Sequence, residues 1–90
     1  MKGSYLVRNP DIVVRKDRKE ALLFDPASGN IVGINEMAIL IWDLCDGSHA
    51  DDDIVKKITD KYDVSVEKAK EDCLKYLKEL KKSGFIGYKV

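Results

Sequence analysis

The sequence predicts an α+β domain in which a three-stranded antiparallel sheet is followed by three helices. Three observations predict it. Residues 12–15, 20–24 and 31–34 are short strand-like runs parted by polar turns, the pattern of an antiparallel meander. From Asn35 onward the apolar residues recur at helical spacing instead. The chain's 90 residues hold one domain, with roughly 60–65% of the unfolded surface buried on folding. That is enough for a modest core around residues 12–86 and too little for a deep enzyme cleft.

Residues 1–10 are a polar lead-in, in which Tyr5-Leu6-Val7 either adds a short strand or packs on the core. Asn9-Pro10-Asp11 marks a turn. Ile12-Val13-Val14-Arg15 is β-branched and strand-like, and residues 16–19 form a charged turn. Glu20–Phe24 is the second strand, residues 25–30 a long turn, and Ile31–Ile34 the third strand. The helix that follows carries Asp43 as its only charge between Met37 and Cys45. A helix apolar almost all round is normally buried on most sides, so it is expected at the centre of the core. Asn35 is its expected N-cap, Glu36 sits at the positive end of its dipole, and Gly47 is expected to close it at C′.

Asp51-Asp52-Asp53 opens a second helix, with Ile54, Val55, Ile58 and Tyr62 on its apolar face. The acids suit the positive end of that helix. The chain breaks at residues 62–64, and Ser65 caps the last helix, residues 66–83. Its central stripe is Val66, Ala69, Cys73, Leu77 and Leu80. At 100° per residue, Leu74 lies on one shoulder with Lys70, Lys78 and Lys81, while Tyr76 lies on the other with Asp72 and Glu79. Gly84 ends the helix, and Phe85-Ile86-Gly87-Tyr88 is an apolar tail that packs back on the core. Helix, turn and longer helix after a small sheet suit a winged helix-turn-helix arrangement.

Lys+Arg and Asp+Glu are both 16, for a net charge of zero. A dedicated nucleic-acid or anionic-membrane binder shows a basic excess instead. Two cysteines, Cys45 and Cys73, make neither a disulfide framework nor a Cys-x-x-Cys motif and are expected as buried thiols. The N-terminus lacks the apolar run of a signal peptide, and no stretch approaches the roughly 20 apolar residues of a membrane span, so the expected compartment is the cytoplasm. No active site is legible. His49 stands alone in an expected loop, Gly29, Gly33 and Gly47 fit no phosphate loop, and adjacent aspartates on a helix point in different directions. Trp42 belongs to the core helix. Neither catalysis, a metal nor a cofactor is expected.

Two binding readings remain. In the first, residues 66–83 are a DNA-recognition helix, with Lys68, Lys70, Lys75, Lys78, Lys81 and Lys82 on phosphates. Against it, Glu67, Glu71, Asp72 and Glu79 are interleaved, and the helix has no arginine for a bidentate guanine contact. In the second, Ile31–Ile34 is a sheet edge that accepts an extended peptide as an added strand, and Gly33 lets another backbone approach closely. The sequence leaves open whether that edge is free or covered by Tyr5-Leu6-Val7.

Ile34-Asn35-Glu36-Met37-Ala38, then Ile41-Trp42, Leu44 and Asp46-Gly47, resemble the pyrroloquinoline quinone biosynthesis protein D family. Leu22-Leu23 with Gly29 and Ile31, then Ile54-Val55, fit the same pattern. So do Glu71-Asp72-Cys73-Leu74, Tyr76-Leu77, Leu80 and Gly84-Phe85-Ile86. The resemblance covers nearly the whole chain. It implies a winged helix-turn-helix-like, non-catalytic domain without cofactors of its own. Such domains bind the leader of a ribosomally made precursor peptide and present it to a modifying enzyme, commonly of the radical S-adenosylmethionine type. The leader adds as a strand and lies beside the third helix. Carried over, the backbone ladder is Ile31, Val32, Gly33 and Ile34. Asp72, Tyr76 and Glu79 form the helix wall, and Lys75 pairs with leader acids. If the other shoulder faces the groove, Lys70, Leu74 and Lys78 replace them. The family's Thr or Ser cap before the second helix is Ala50 here, so Asp51 or Ser48 is expected to cap. The lysine-rich last helix favours a related peptide-modification cluster over the quinone pathway. An open edge makes a monomer or a weak homodimer the expected state.

Overall fold

The computed structural model describes residues 5–89. The elements are β1 (Tyr5–Arg8), β2 (Val13–Asp17), β3 (Glu20–Phe24), β4 (Ile31–Ile34), α1 (Glu36–Leu44), β5 (Asp46–His49), α2 (Asp51–Lys61), α3 (Val66–Lys82) and β6 (Ile86–Lys89). The expected meander is present as an antiparallel sheet in the order β2-β3-β4. A second antiparallel sheet has the order β5-β1-β6. The α+β architecture with three helices follows the sequence, and the second sheet is the addition to it.

Local chemistry explains the first sheet. β2 and β3 close through a two-residue turn, Arg18-Lys19, with Asp17 paired to Glu20. Such turns need a positive φ, and Arg18 takes it at 60°. In the long turn the Asp25 carboxylate accepts from the Ala27 N–H and the Ser28 hydroxyl, both at 3.0 Å. Gly29 supplies φ 80° there. Ala21, Leu23 and Ile34 are buried on the inner face, where the alternation of the pleat puts them.

α1 joins the two sheets. Asn35 caps it, accepting from the Ala38 N–H at 3.0 Å, and Ala38, Ile41 and Trp42 are buried. Arg8 reaches over from β1 and donates to the Trp42 and Asp43 carbonyls at 3.0 and 2.8 Å. Both belong to the last turn, where the helix's own pairing runs out, although the Trp42 carbonyl also accepts from the Cys45 N–H at 3.1 Å. From the other sheet, Lys16 pairs with Asp43 at 3.1 Å. α2, a turn at residues 62–65 and α3 form the helix-turn-helix unit. α2 buries Ile54, Val55 and Ile58, and α3 buries Ala69, Cys73, Leu77 and Leu80. Ser65 caps α3 through the Lys68 N–H at 3.1 Å, and Gly84 turns the chain at φ 78°.

Two expectations gain detail and four change, the first change being that β2 runs on to Asp17 and shrinks the turn expected at residues 16–19 to Arg18-Lys19. Tyr5-Leu6-Val7 is the middle strand of the second sheet, and the apolar tail packs back as β6, paired with β1. Gly47 has a left-handed φ of 86°, but α1 already ends at Leu44 with Cys45 as C-cap, so Gly47 lies inside β5. His49 is part of β5, paired with Leu6, rather than in a solvated loop. At α2 neither Asp51 nor Ser48 caps. Asp53 reaches back one turn and accepts from the Ala50 N–H at 3.0 Å, the acidic half of a capping box.

Candidate peptide-binding edge and groove

The β2-β3-β4 sheet has two edges, and their chemistry differs. β2 carries Arg15, Lys16 and Asp17, while β4 reads Ile-Val-Gly-Ile without a charge. Charged side chains guard an edge against pairing with another chain. β4 has no such guard, and Ile31 is 62% exposed on it. Nor does β1 cover it, because β1 is hydrogen-bonded between β5 and β6.

The phase of the ladder decides which backbone groups are free. The Asp25 N–H donates to the Asn30 carbonyl at 2.9 Å, one step beyond the Phe24/Ile31 pair. In an antiparallel ladder this makes Asp25/Asn30 a hydrogen-bonded pair and Phe24/Ile31 a non-hydrogen-bonded one. Alternation then aims the N–H and C=O of Val32 and Ile34 at β3. Those of Ile31 and Gly33 lie on the open edge. Of the four residues expected in the ladder, two offer backbone groups, and Val32 and Ile34 offer side chains.

Beside this edge runs a groove of ≈ 300 Å³. It is lined by Val32, Gly33 and Ile34 on one side and by Tyr76, Glu79, Leu80, Lys82 and Ser83 on the other. The Tyr76 shoulder of α3 therefore faces β4, and Leu74 is 41% exposed elsewhere. Asn35 fixes one end of the groove by donating from Nδ2 to the Tyr76 hydroxyl oxygen at 2.9 Å. The same side chain thus caps α1 and ties β4 to α3. Asp72 lies one turn before Tyr76, outside the groove lining, with Lys68 Nζ at 3.4 Å. Lys75 is exposed and lies outside the groove lining. Ser83 escaped the sequence reading, and Lys82 entered it only as a phosphate contact, because both lie at the C-terminal end of α3, beyond the residues carried over from the resemblance. Their signal was the i+7 spacing from Tyr76 to Ser83, which keeps both on one face.

The groove lining holds one carboxylate, Glu79, and no histidine or cysteine. Among the described residues the large shifts of acidity lie outside the groove. Burial pushes the thiols of Cys45 and Cys73 up to about 12, with Arg8 opposing the effect at Cys45. Asp46 is held well below the usual carboxylate range, chiefly by the Ser48 hydroxyl and then by His49. Among the described residues no group of three or more potential ligands could hold a metal ion. Among the same described residues no helix is long and apolar enough to cross a membrane.

The solved structure of TbiB1 in complex with the TbiA(beta) leader peptide is similar at 20% identity with a TM-score of 0.79. The match covers 89% of this chain and 93% of that one. Lasso peptide synthetase B1 complexed with the leader peptide is similar at 26% identity with a TM-score of 0.78, covering 91% and 96%. The heterocyclase TruD matches at 16% identity and a TM-score of 0.68, over 96% of this chain and 12% of that one. The fold therefore also occurs as a small part of a much larger chain. No curated protein matches the sequence. Residues 20–86 match the family model of coenzyme PQQ synthesis protein D. That segment runs from the first residue of β3 into β6 and contains both walls of the groove, so the chain belongs to the PqqD family.

Proposed function

We propose that the chain is a non-catalytic peptide-recognition domain. It binds the leader of a ribosomally made precursor peptide by strand addition to β4 and presents the peptide to a modifying enzyme of the radical S-adenosylmethionine type. The observation that carries this reading is the uncharged, unpaired edge of β4 beside the groove against α3. Ile31 and Gly33 offer the backbone hydrogen bonds that give such pairing its affinity, and alternate side chains of the peptide enter the groove. The two leader-bound neighbours support the reading. In this arrangement Tyr76 and Glu79 form the wall, Leu80 the floor, and Lys75 and Lys82 face acids on the peptide from the rim. Asp72 acts through Lys68, whose charge it holds near the groove.

The test is an amide NMR titration of the ¹⁵N-labelled chain with the precursor peptide encoded nearest to its gene, with duplex DNA as control. Shifts are expected at Ile31–Ile34 and along residues 76–83. Gly33→Pro removes a donor that points away from β3, so the fold holds. Peptide affinity should drop by the ~0.5–1.5 kcal/mol of one hydrogen bond. Shifts with DNA along the lysines of α3, and none with peptide, would overturn the reading in favour of a DNA-binding domain.

A further inference from the structure

The face of the β2-β3-β4 sheet turned away from the core is apolar where a solvated face would be polar. Val13, Leu22, Phe24 and Ile31 are 46%, 49%, 36% and 62% exposed on it. Val13 pairs with Phe24 and Phe24 with Ile31, so one uncharged row crosses all three strands and ends at the open edge. The next row is Arg15, Leu22 and Gly33. Gly33 has no side chain to end that row. Leu22 Cδ2 lies 3.7 Å from where a Gly33 Cβ would stand, so Leu22 leans over Gly33 toward the edge. A hollow of ≈ 750 Å³ opens there, with Leu22 and Gly33 among its lining beside four charged residues, Arg15, Lys16, Asp17 and Glu20. Its lining shares Gly33 and Ile34 with the α3 groove, and its Arg15, Leu22 and Gly33 belong to the outward-facing row.

We propose that this outer hollow is a second side-chain subsite for the strand-added peptide. The bound strand would then be read on both faces and carry large apolar residues at consecutive positions. The inference rests on strand addition to β4. Successive side chains of an added strand point to opposite faces. Whichever way the strand runs, the residue opposite Gly33 turns its side chain to the outer face, and its two neighbours turn theirs into the α3 groove. The missing Gly33 side chain leaves room for a large one from the peptide, and Leu22 is the surface it meets. The residue two positions away, opposite Ile31, extends the Val13–Phe24–Ile31 row. A strand covered on both faces reads as a continuous apolar run rather than an alternating one. The substrate class is thus a leader with a short uninterrupted apolar run, whose residue opposite Gly33 is aromatic or a long aliphatic.

The experiment is selection of a phage-displayed library of random twelve-residue peptides on the full chain and on its Leu22→Lys variant. Leu22 is half-exposed, so the variant should fold, as circular dichroism will check. Leu22→Ser repeats the test without the added charge. Peptides selected on the parent chain should carry large apolar residues at consecutive positions. They should bind both variants more weakly, by up to roughly fivefold, the scale of a cross-strand side-chain pair. Selection on the variants should keep the groove-facing preference and lose the outward one. Peptides apolar only at alternate positions, or indifferent to both Leu22 variants, would overturn the second subsite while leaving strand addition in place. Failure to enrich any peptide, or affinities unmoved by Gly33→Pro, would remove strand addition and the subsite with it.

Discussion

Adjacent residues in β4 have opposite duties. Gly33 presents its N–H to the open edge, whereas the Val32 N–H is spent inside the sheet. Val32→Pro should therefore destabilise the domain by ~1–3 kcal/mol, because it leaves a carbonyl of β3 unpaired. Chemical denaturation of the variant beside Gly33→Pro, with the second midpoint near that of the parent chain, checks the ladder phase. Asp46 is the other residue with a distinct signature. Its carboxylate accepts from the Ser48 hydroxyl and N–H at 2.6 and 3.0 Å, and His49 Nδ1 lies 3.0 Å away. These bonds lower its pKa in the folded state. A lowered carboxylate contributes stability above its unfolded value near 3.9, and that contribution is lost as the pH falls toward the folded value. Asp46→Asn should lower Tm at pH 7 and flatten the loss of stability below about pH 4, as thermal melts across that range will read.

At the scale of elements, strand, helix and groove meet at Asn35. Asn35→Ala removes both the α1 cap and the anchor on Tyr76, at a cost of ~0.5–2 kcal/mol for the cap alone. Tyr76→Phe leaves the cap and removes only an exposed hydrogen bond, at the low end of ~0.5–1.5 kcal/mol. The two variants should thus differ clearly in thermal stability. Peptide affinity should fall in both, because each frees α3 from β4 at the end of the groove. Much of this level was legible in advance. Asn35, Ser65 and Gly84 punctuate their helices through local chemistry, and the stripe of α3 follows from its 3.6-residue period. The shoulder of α3 that faces β4 was not legible. Tyr76 and Leu74 flank the stripe on opposite shoulders, and only packing against the sheet decides between them.

At the scale of the molecule, β1 is the strand that completes the fold. Leu6 is fully buried, although it belongs to a lead-in that reads as polar. Leu6→Ala should cost ~2–5 kcal/mol, the range for a large-to-small change in a packed core, and differential scanning calorimetry will show it as a marked fall in Tm. The effect on peptide binding should be indirect, since β1 belongs to the other sheet. That separation has a functional consequence. Because β1 pairs with β5 and β6, its hydrogen-bonding groups are occupied, and the β4 edge stays open.

The sequence alone determined the local elements: the β2-β3-β4 strands, the three helices, most of their caps, and the family pattern centred on Asn35 and Trp42. Each depends on periodicity or on side chains within a few residues of one another. The tertiary structure decided the second sheet, the free edge and the face of α3. Asp46–His49 reads Asp-Gly-Ser-His and has no strand signal. It becomes a strand because β1, some forty residues away in sequence, offers it a partner. β1 and β6 meet from opposite ends of the chain. Pairings over such separations depend on which backbone groups remain unsatisfied once the core has closed, and no local pattern encodes that.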